Sequence, residues 1–252
     1  MELVISEDRG AVRHIILNRA DKRNAFNFDL VEALGDALGS AADEPSVRVV
    51  VIRGEGSVFS SGMDVKELAS LSGSPERLRE FRRRAIQAWN LAEEMTKPTI
   101  AQIHGTCMGG AMELALACDL RVIDTAARMS IPEVRLGLIP DVGGSSRLPA
   151  VVGLGRAKEL ILTGREFDAE EALRIGLANR IADVAELDAA TAELTNDLTA
   201  GFAVPIGLAK RVLDAAAKPA LSTTLELEVT AQEVSVASLA AAMRDAAAVT
   251  GE

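Results

Sequence analysis

Aromatic side chains are scarce in this chain: they make up 3% of it, with no tyrosine, one tryptophan and six phenylalanines. That argues against a surface that stacks bases on exposed rings. It also requires an aliphatic core of Ala, Val, Leu and Ile, for which a hydrophobic content of 48% is ample. Cysteine is nearly absent. Cys107 and Cys118 both lie in apolar stretches and are too few for a disulfide framework, so they read as small buried residues, ahead of a reactive thiol pair. His14 and His104 are the only histidines, and no cluster has metal-ligand spacing, so no metal is expected. His104 closes an expected strand and reads as a structural hydrogen-bonding residue. Positive charge is also short: 27 Lys and Arg against 37 Asp and Glu leave a formal net charge of −10. A nucleic acid or an anionic membrane surface as main partner needs a basic face that this balance does not provide. A phosphorylated ligand needs only a few local cations and stays open. No apolar run reaches the roughly 18 residues of a membrane helix, and Met1-Glu2-Leu3-Val4-Ile5 is not the basic, then apolar, start of a signal peptide. The expectation is a cytoplasmic, soluble protein.

What is present is a chain of 252 residues, enough for one large domain or one domain with an appendage. Two short apolar runs at residues 3–6 and 12–18, joined by Asp8-Arg9-Gly10, read as a hairpin. Residues 28–42 have helical spacing (Leu30, Val31, Leu34, Leu38) and stop before Pro45. The β-branched run at 47–53 reads as a buried strand. Ser74-Pro75 is an N-cap followed by proline at the first helical position, and predicts a helix to about residue 96. After Pro98 the pattern is strand (99–104), glycine-rich turn, helix (111–118) and strand (120–123). Strands and helices alternating across short turns predict an α/β core. From about residue 187 the β signal fades, and helices are expected at 187–200, 205–217 and 221–248, packed on the core or on a neighbour.

Chemistry concentrates in two strand–glycine–helix units. In Cys107-Met108-Gly109-Gly110-Ala111-Met112-Glu113, a glutamate follows a glycine pair by one helical turn. The Gly110 N–H and the Glu113 carboxylate then face the same way, beside the positive end of the helix. That arrangement suits holding an oxyanion while a proton moves next to it. In Phe59-Ser60-Ser61-Gly62-Met63-Asp64, a glycine turn feeds a short helix and points the Met63 N–H outward. The plainer reading is a helix capped by Ser60, Ser61 or Asp64. Together, the two units present two main-chain donors for one carbonyl oxygen. Glu133, after Pro132, is a second candidate carboxylate. Arg79, Arg82, Arg83 and Arg84 form a basic spot on the 75–96 helix and read as a solvated face, ahead of a rim for an anionic ligand.

These blocks resemble the crotonase, or enoyl-CoA hydratase/isomerase, superfamily over roughly residues 3 to 215. The resemblance rests on Leu17-Asn18-Arg19 with Asn24-Ala25, on residues 59–67, and on Lys97-Pro98-Thr99 through Cys118-Asp119. Pro132-Glu133-Val134-Arg135-Leu136-Gly137, Gly143-Gly144-Ser145-Ser146-Arg147-Leu148 and Leu162-Thr163-Gly164 follow in order. It implies a ββα spiral core over 1–186, which binds an acyl-CoA thioester. It also implies a helical C-terminal region over 187–252 that assembles the chain as a homotrimer or dimer of trimers. Coenzyme A would be part of the substrate, with no separate cofactor. Met63, where the family often has alanine or another small residue, and Gly110 would donate to the thioester oxygen as enolate charge develops. Glu113 and Glu133 would share one water, one carboxylate activating it and the other protonating the α-carbon. Lys22, Arg23, Ala25, Ser61, Asp64 and Lys66 would lie near the nucleotide part of the ligand, although each lysine and arginine alone also reads as a solvated cation. Asp141 stands where simple hydratases usually carry glycine and where some dienoyl-CoA isomerases of the family use an acid. It reads equally as the N-cap of a helix starting near Gly143. The tail departs from the family, because residues 235–248 lack the acidic stretch that often occurs there. The leading expectation is an enoyl-CoA hydratase. A double-bond isomerase using Glu133 with Asp141 or Glu113, and an inactive acyl-CoA-binding protein, are the alternatives.

Overall fold

Two short runs, Val4-Ile5 and Val12–Leu17, open the chain and build one edge of a large sheet. The computed structural model describes residues 2–72, 74–218 and 220–250. Met1 and residues 251–252, at the outer ends of the two expected regions, lie outside the described residues. Strand β1 (Val4–Arg9) turns at Gly10, whose φ is +63°, into antiparallel β2 (Val12–Leu17), with Val4 opposite Leu17 and Arg9 opposite Val12. Asn27 then caps α1 (Phe28–Asp43) by accepting the Leu30 N–H at 3.1 Å, and Leu30, Val31, Leu34 and Leu38 are buried from it.

From there the chain winds in three similar turns, each passing from the large sheet through a smaller one to helix. The first turn is β3 (Val49–Gly54), a single bridge from Ser60 to Cys107, then α2 (Val65–Ser72) and α3 (Pro75–Glu94). The second is β4 (Thr99–Ile103), β5 (Thr106–Met108) and α4 (Gly110–Ala117). The third is β6 (Leu120–Asp124), β7 (Arg128–Ser130), a 3-10 turn at Glu133–Leu136, then α5 (Gly144–Val152) and α6 (Leu154–Thr163). Short β8 (Phe167–Asp168), α7 (Ala169–Arg174) and β9 (Arg180–Ala182) complete the core. The large sheet runs β1-β2-β3-β4-β6-β9, parallel beyond the first pair, and the small sheet runs β5-β7-β8. Parallel strands covered on both faces need apolar residues throughout, which is why Val49, Val50, Val51 and Ile52 are all inaccessible to solvent.

This is the expected ββα architecture. The C-terminal helices also match expectation, as α8 (Leu187–Ala200), α9 (Ala203–Ala217) and α10 (Leu221–Thr250). One local expectation changes. The segment before Gly109, read as a turn, forms β5, because it pairs in register with β7, Thr106 opposite Arg128 and Met108 opposite Ser130. A three-residue strand leaves no periodic signal of its own. Both cysteines are buried and free, and burial pushes the Cys118 thiol up to about 12, as befits packing residues.

Candidate active site

The loop before α2 is held open by side chains rather than by its own ladder. Asn24, in a left-handed conformation at φ +53°, accepts the Arg19 N–H at 2.9 Å and donates to the carbonyls of Glu55, Val58 and Phe59. Ser60 Oγ accepts the Gly62 N–H at 3.1 Å and donates to the Asn24 carbonyl at 2.7 Å. Phe26 pairs with the flanks of Met63, donating to the Gly62 carbonyl and accepting from the Asp64 N–H. This leaves the N–H of Met63 facing away from Phe26. Gly62 sits at φ +85°, and a Cβ there would lie 2.3 Å from the Met108 carbonyl oxygen and 3.5 Å from the Gly110 nitrogen. The two strand–glycine–helix units therefore meet backbone to backbone. Gly110 is the first residue of α4, so its N–H lacks an intrahelical acceptor. Among the described residues, no acceptor meets the N–H of Met63 or of Gly110. Both residues line one cavity of about 220 Å³, walled by Phe26, Phe81, Trp89, Leu138 and Ile139.

Three carboxylates open into the same cavity: Glu113, Glu133 and Asp141. Glu113 is 2% exposed, and its Oε1 accepts two main-chain N–H groups, from Val142 at 3.0 Å and Gly144 at 2.9 Å. Burial and then the charges of Glu133, Asp141 and Glu228 push its carboxyl well above the ordinary range, and the Gly144 N–H works the other way. Glu133 rests on Gly109, where a Cβ would meet its Oε1 at 2.6 Å. Its Oε2 is buried and has no hydrogen-bond partner among the described residues. Burial raises the Glu133 carboxyl to about 7, and its charge is among those that raise Glu113, so the two carboxyls titrate as an interacting pair. A carboxyl raised in the folded state is a stability liability above its unfolded value. The unfolded chain gives up the proton first, so stability falls as pH rises from about 4.5 through about 7. Glu133→Gln is thus expected to be more stable than the parent at about pH 8, by up to about 3 kcal/mol. The gap should shrink toward about pH 5. Melting curves at the two pH values check this, and a pH-independent gap would contradict it.

Asp141 does not cap a helix, which corrects one of the two readings of that residue. Gly143 occupies the cap position of α5 without a side-chain bond, and Asp141 instead meets Arg82, with Arg82 Nη1 3.4 Å from Asp141 Oδ2. Burial raises Asp141 to about 7 against the pull of Arg82, and Glu228 and Glu133 push in the same direction as burial. Arg82 is itself the second correction. It is not part of a solvated face but 3% exposed, because Leu78, Arg82, Ala85 and Trp89 share one face of α3. Arg79, Arg83 and Arg84 pair with glutamates on the outside, as expected.

Of the residues expected near the nucleotide, Ser61 lines the cavity, and its N–H donates to the Arg23 carbonyl at 3.0 Å. Lys22 and Arg23, at the end of a 3-10 turn, and Lys66, in the first turn of α2, are exposed, and Arg23 Nη2 donates to Thr106 Oγ1 at 3.0 Å. Ala25 is buried and its carbonyl accepts from Arg19. Asp64 is the cap of α2: it accepts the Lys66 N–H at 2.9 Å and pairs with Arg19 at 2.6 Å, which lowers its carboxyl. His104 Nε2 bonds the Gly56 carbonyl at 2.9 Å, a structural contact. Two residues escaped the sequence reading altogether, Glu228 and Gln232 on α10, both 4% exposed. The signal was there: Leu225, Glu228 and Gln232 recur at helical spacing, so two polar groups stand on a buried stripe.

A family model described as enoyl-CoA hydratase/isomerase matches residues 7–243. The chain is 35% identical over 207 residues to the short-chain-enoyl-CoA hydratase of Clostridium acetobutylicum, covering 81% of this chain and 78% of that one. It is 37% identical over 191 residues to the peroxisomal Delta(3,5)-Delta(2,4)-dienoyl-CoA isomerase of Arabidopsis thaliana, covering 72% and 69%. The crystal structure of an enoyl-CoA hydratase from Bacillus halodurans superposes with a TM-score of 0.87 at 27% identity, over 93% of this chain and 95% of that one.

Proposed function

The chain belongs to the enoyl-CoA hydratase/isomerase family, and from this we propose that it adds water across the 2,3 double bond of a trans-2-enoyl-CoA thioester. The observation that carries this reading is the convergence of Glu113, Glu133 and the residues bearing two unpaired N–H groups, Met63 and Gly110, on one apolar-walled cavity. The thioester oxygen accepts from the two N–H groups, which stabilise the negative charge that reaches it when oxygen adds at the β-carbon. Glu113, held through Oε1 by two amides that offset part of the burial raising its carboxyl, takes a proton from water through Oε2 in its ionised state as the oxygen bonds to the β-carbon. Glu133, whose Oε2 meets no donor among the described residues to stabilise an anion, delivers its proton to the α-carbon. The net change is one water gained, and proton exchange between the glutamates restores the starting state. The apolar walls favour an aliphatic acyl chain. Lys22, Arg23, Ala25, Ser61, Asp64 and Lys66, of which Ser61 lines the cavity, are our candidates for contacts with the coenzyme A portion, which enters as substrate and not as a cofactor.

Residues 1–186 form the catalytic core in this account and 187–252 the oligomerisation region, in a trimer or dimer of trimers. The exposed Phe202, Val204, Val212 and Leu213 of the C-terminal region support that assignment. Among the described residues no helix is long and apolar enough to cross a membrane.

A second reading is favoured by Asp141, which faces the cavity instead of capping α5: isomerisation of a 3,5-dienoyl thioester, with Glu133 and Asp141 moving a proton between carbons. A panel of 2-enoyl, 3-enoyl and 3,5-dienoyl thioesters, with products identified by mass, separates the two. Hydration adds the mass of one water and isomerisation adds none. Asp141→Asn is expected to leave hydration within about threefold of the parent while lowering dienoyl isomerisation about 10²-fold or more. Equal loss of hydration in folded protein would move Asp141 into the hydration itself.

A further inference from the structure

Helix α10 grips the segment 139–146 from one of its faces. Gln232 Oε1 accepts the Ile139 N–H at 2.9 Å, and the Val229 carbonyl accepts from Arg82 Nη1 at 3.0 Å, the same nitrogen that meets Asp141. Glu228 makes the most contacts. Its Oε2 accepts the Gly143 N–H at 2.8 Å, and its Oε1 accepts both the N–H and the hydroxyl of Ser146 at 2.5 Å. Because Gly143 is the cap residue of α5 and Gly144 its first residue, the helix has no capping side chain of its own, and Glu228 supplies an anion to its positive end from 82 residues away in sequence. The N–H groups of one turn are thereby divided between two buried glutamates. Those of Val142 and Gly144 go to Glu113, and those of Gly143 and Ser146 go to Glu228.

We propose that Glu228 is a positioning residue for the reaction, holding the Val142–Gly144 turn so that its two amides fix the Glu113 carboxylate against the cavity. Glu228 does not line the cavity and touches no reacting atom. It acts through the turn, and a displacement of the turn carries both anchors of Glu113 with it. The C-terminal helix is on this account part of the catalytic apparatus of its own chain. The inference rests on the reading of Glu113 as the group that activates water. Around Glu113 stand the carboxylates of Glu133, Asp141 and Glu228, with Arg82 beside Asp141 and Arg147 acting on Glu228.

The test is Glu228→Gln, which preserves volume but leaves one acceptor oxygen where Gly143 and Ser146 need two. Hydration of a 2-enoyl-CoA by the folded variant is expected to show kcat lowered about tenfold or more, with KM within about threefold. The limb of the pH–rate profile set by the paired carboxylates should move to lower pH, because one charge that raises Glu113 is gone. Parent-like kcat and pH profile would overturn the proposal, even with a lowered melting temperature, since a merely structural contact alters only the latter. Should Glu228→Gln not fold, Ser146→Ala removes one of the three bonds. Its kcat is expected to fall about two- to fivefold at constant KM, and an unchanged kcat overturns the proposal. Glu113→Gln is measured in parallel. If it stays active, the reading of Glu113 falls; if it is inactive while Glu228→Gln is parent-like, only the role of Glu228 falls.

Discussion

Glu133→Gln is expected to lower kcat for hydration of a 2-enoyl-CoA by about 10²- to 10⁴-fold, while KM stays within about threefold. The amide keeps the volume that rests on Gly109, where a Cβ would already be 2.6 Å from Glu133 Oε1, so the pocket keeps its shape. What is lost is an acidic proton for the α-carbon. The buried Oε2, which has no hydrogen-bond partner among the described residues, has no other evident duty in the fold. Removing it should therefore damage the chemistry and spare the structure. The variant should also bind substrate without consuming it. Near-native turnover by folded Glu133→Gln would remove Glu133 from the reaction and leave the hydratase account without its acid.

Gly62→Ala is expected to do the opposite, damaging structure and chemistry together. At φ +85° an alanine pays the left-handed penalty of about 1–2 kcal/mol. Its Cβ would also sit 2.3 Å from the Met108 carbonyl oxygen, a backbone atom that cannot rotate away. Relieving that contact separates the two strand–glycine–helix units, at roughly 1–3 kcal/mol more. Together these predict a melting temperature lower by roughly 5–15 °C. The same separation moves the Met63 N–H relative to the Gly110 N–H, and losing one such donor typically lowers kcat about 10²- to 10³-fold. Thermal melting and steady-state kinetics on one preparation measure both. A variant that is destabilised but fully active would show that the approach of residues 62 and 110 serves folding alone.

The sequence was most legible where one short segment decides its own structure. The spacing of Leu30, Val31, Leu34 and Leu38 and the Ser74-Pro75 cap mark the helices that form as α1 and α3. Gly110 and Glu113, one turn apart, could be placed together because the helix that joins them is local. Legibility failed where a residue's role is set by a distant partner. Thr106–Met108 is a strand only because β7 lies beside it. Asp141 has the local setting of a helix cap, yet Arg82 on α3 draws it to the cavity instead. Glu228 meets the active-site turn across 85 residues of sequence, and its helical spacing with Leu225 and Gln232 marks a buried stripe without saying which turn it meets. In each of these cases the deciding free energy is non-local, from pairing of buried polar groups that would otherwise stand unsatisfied.

The central claim, that two main-chain amides and two glutamates act on one thioester, is tested most directly by a crystal structure of Glu133→Gln with a 2-enoyl-CoA bound. The account predicts the thioester oxygen about 2.7–3.1 Å from the nitrogens of both Met63 and Gly110, with a water between Glu113 and the β-carbon. A thioester oxygen that reaches neither nitrogen, or an acyl chain seated in a different cavity, would contradict it.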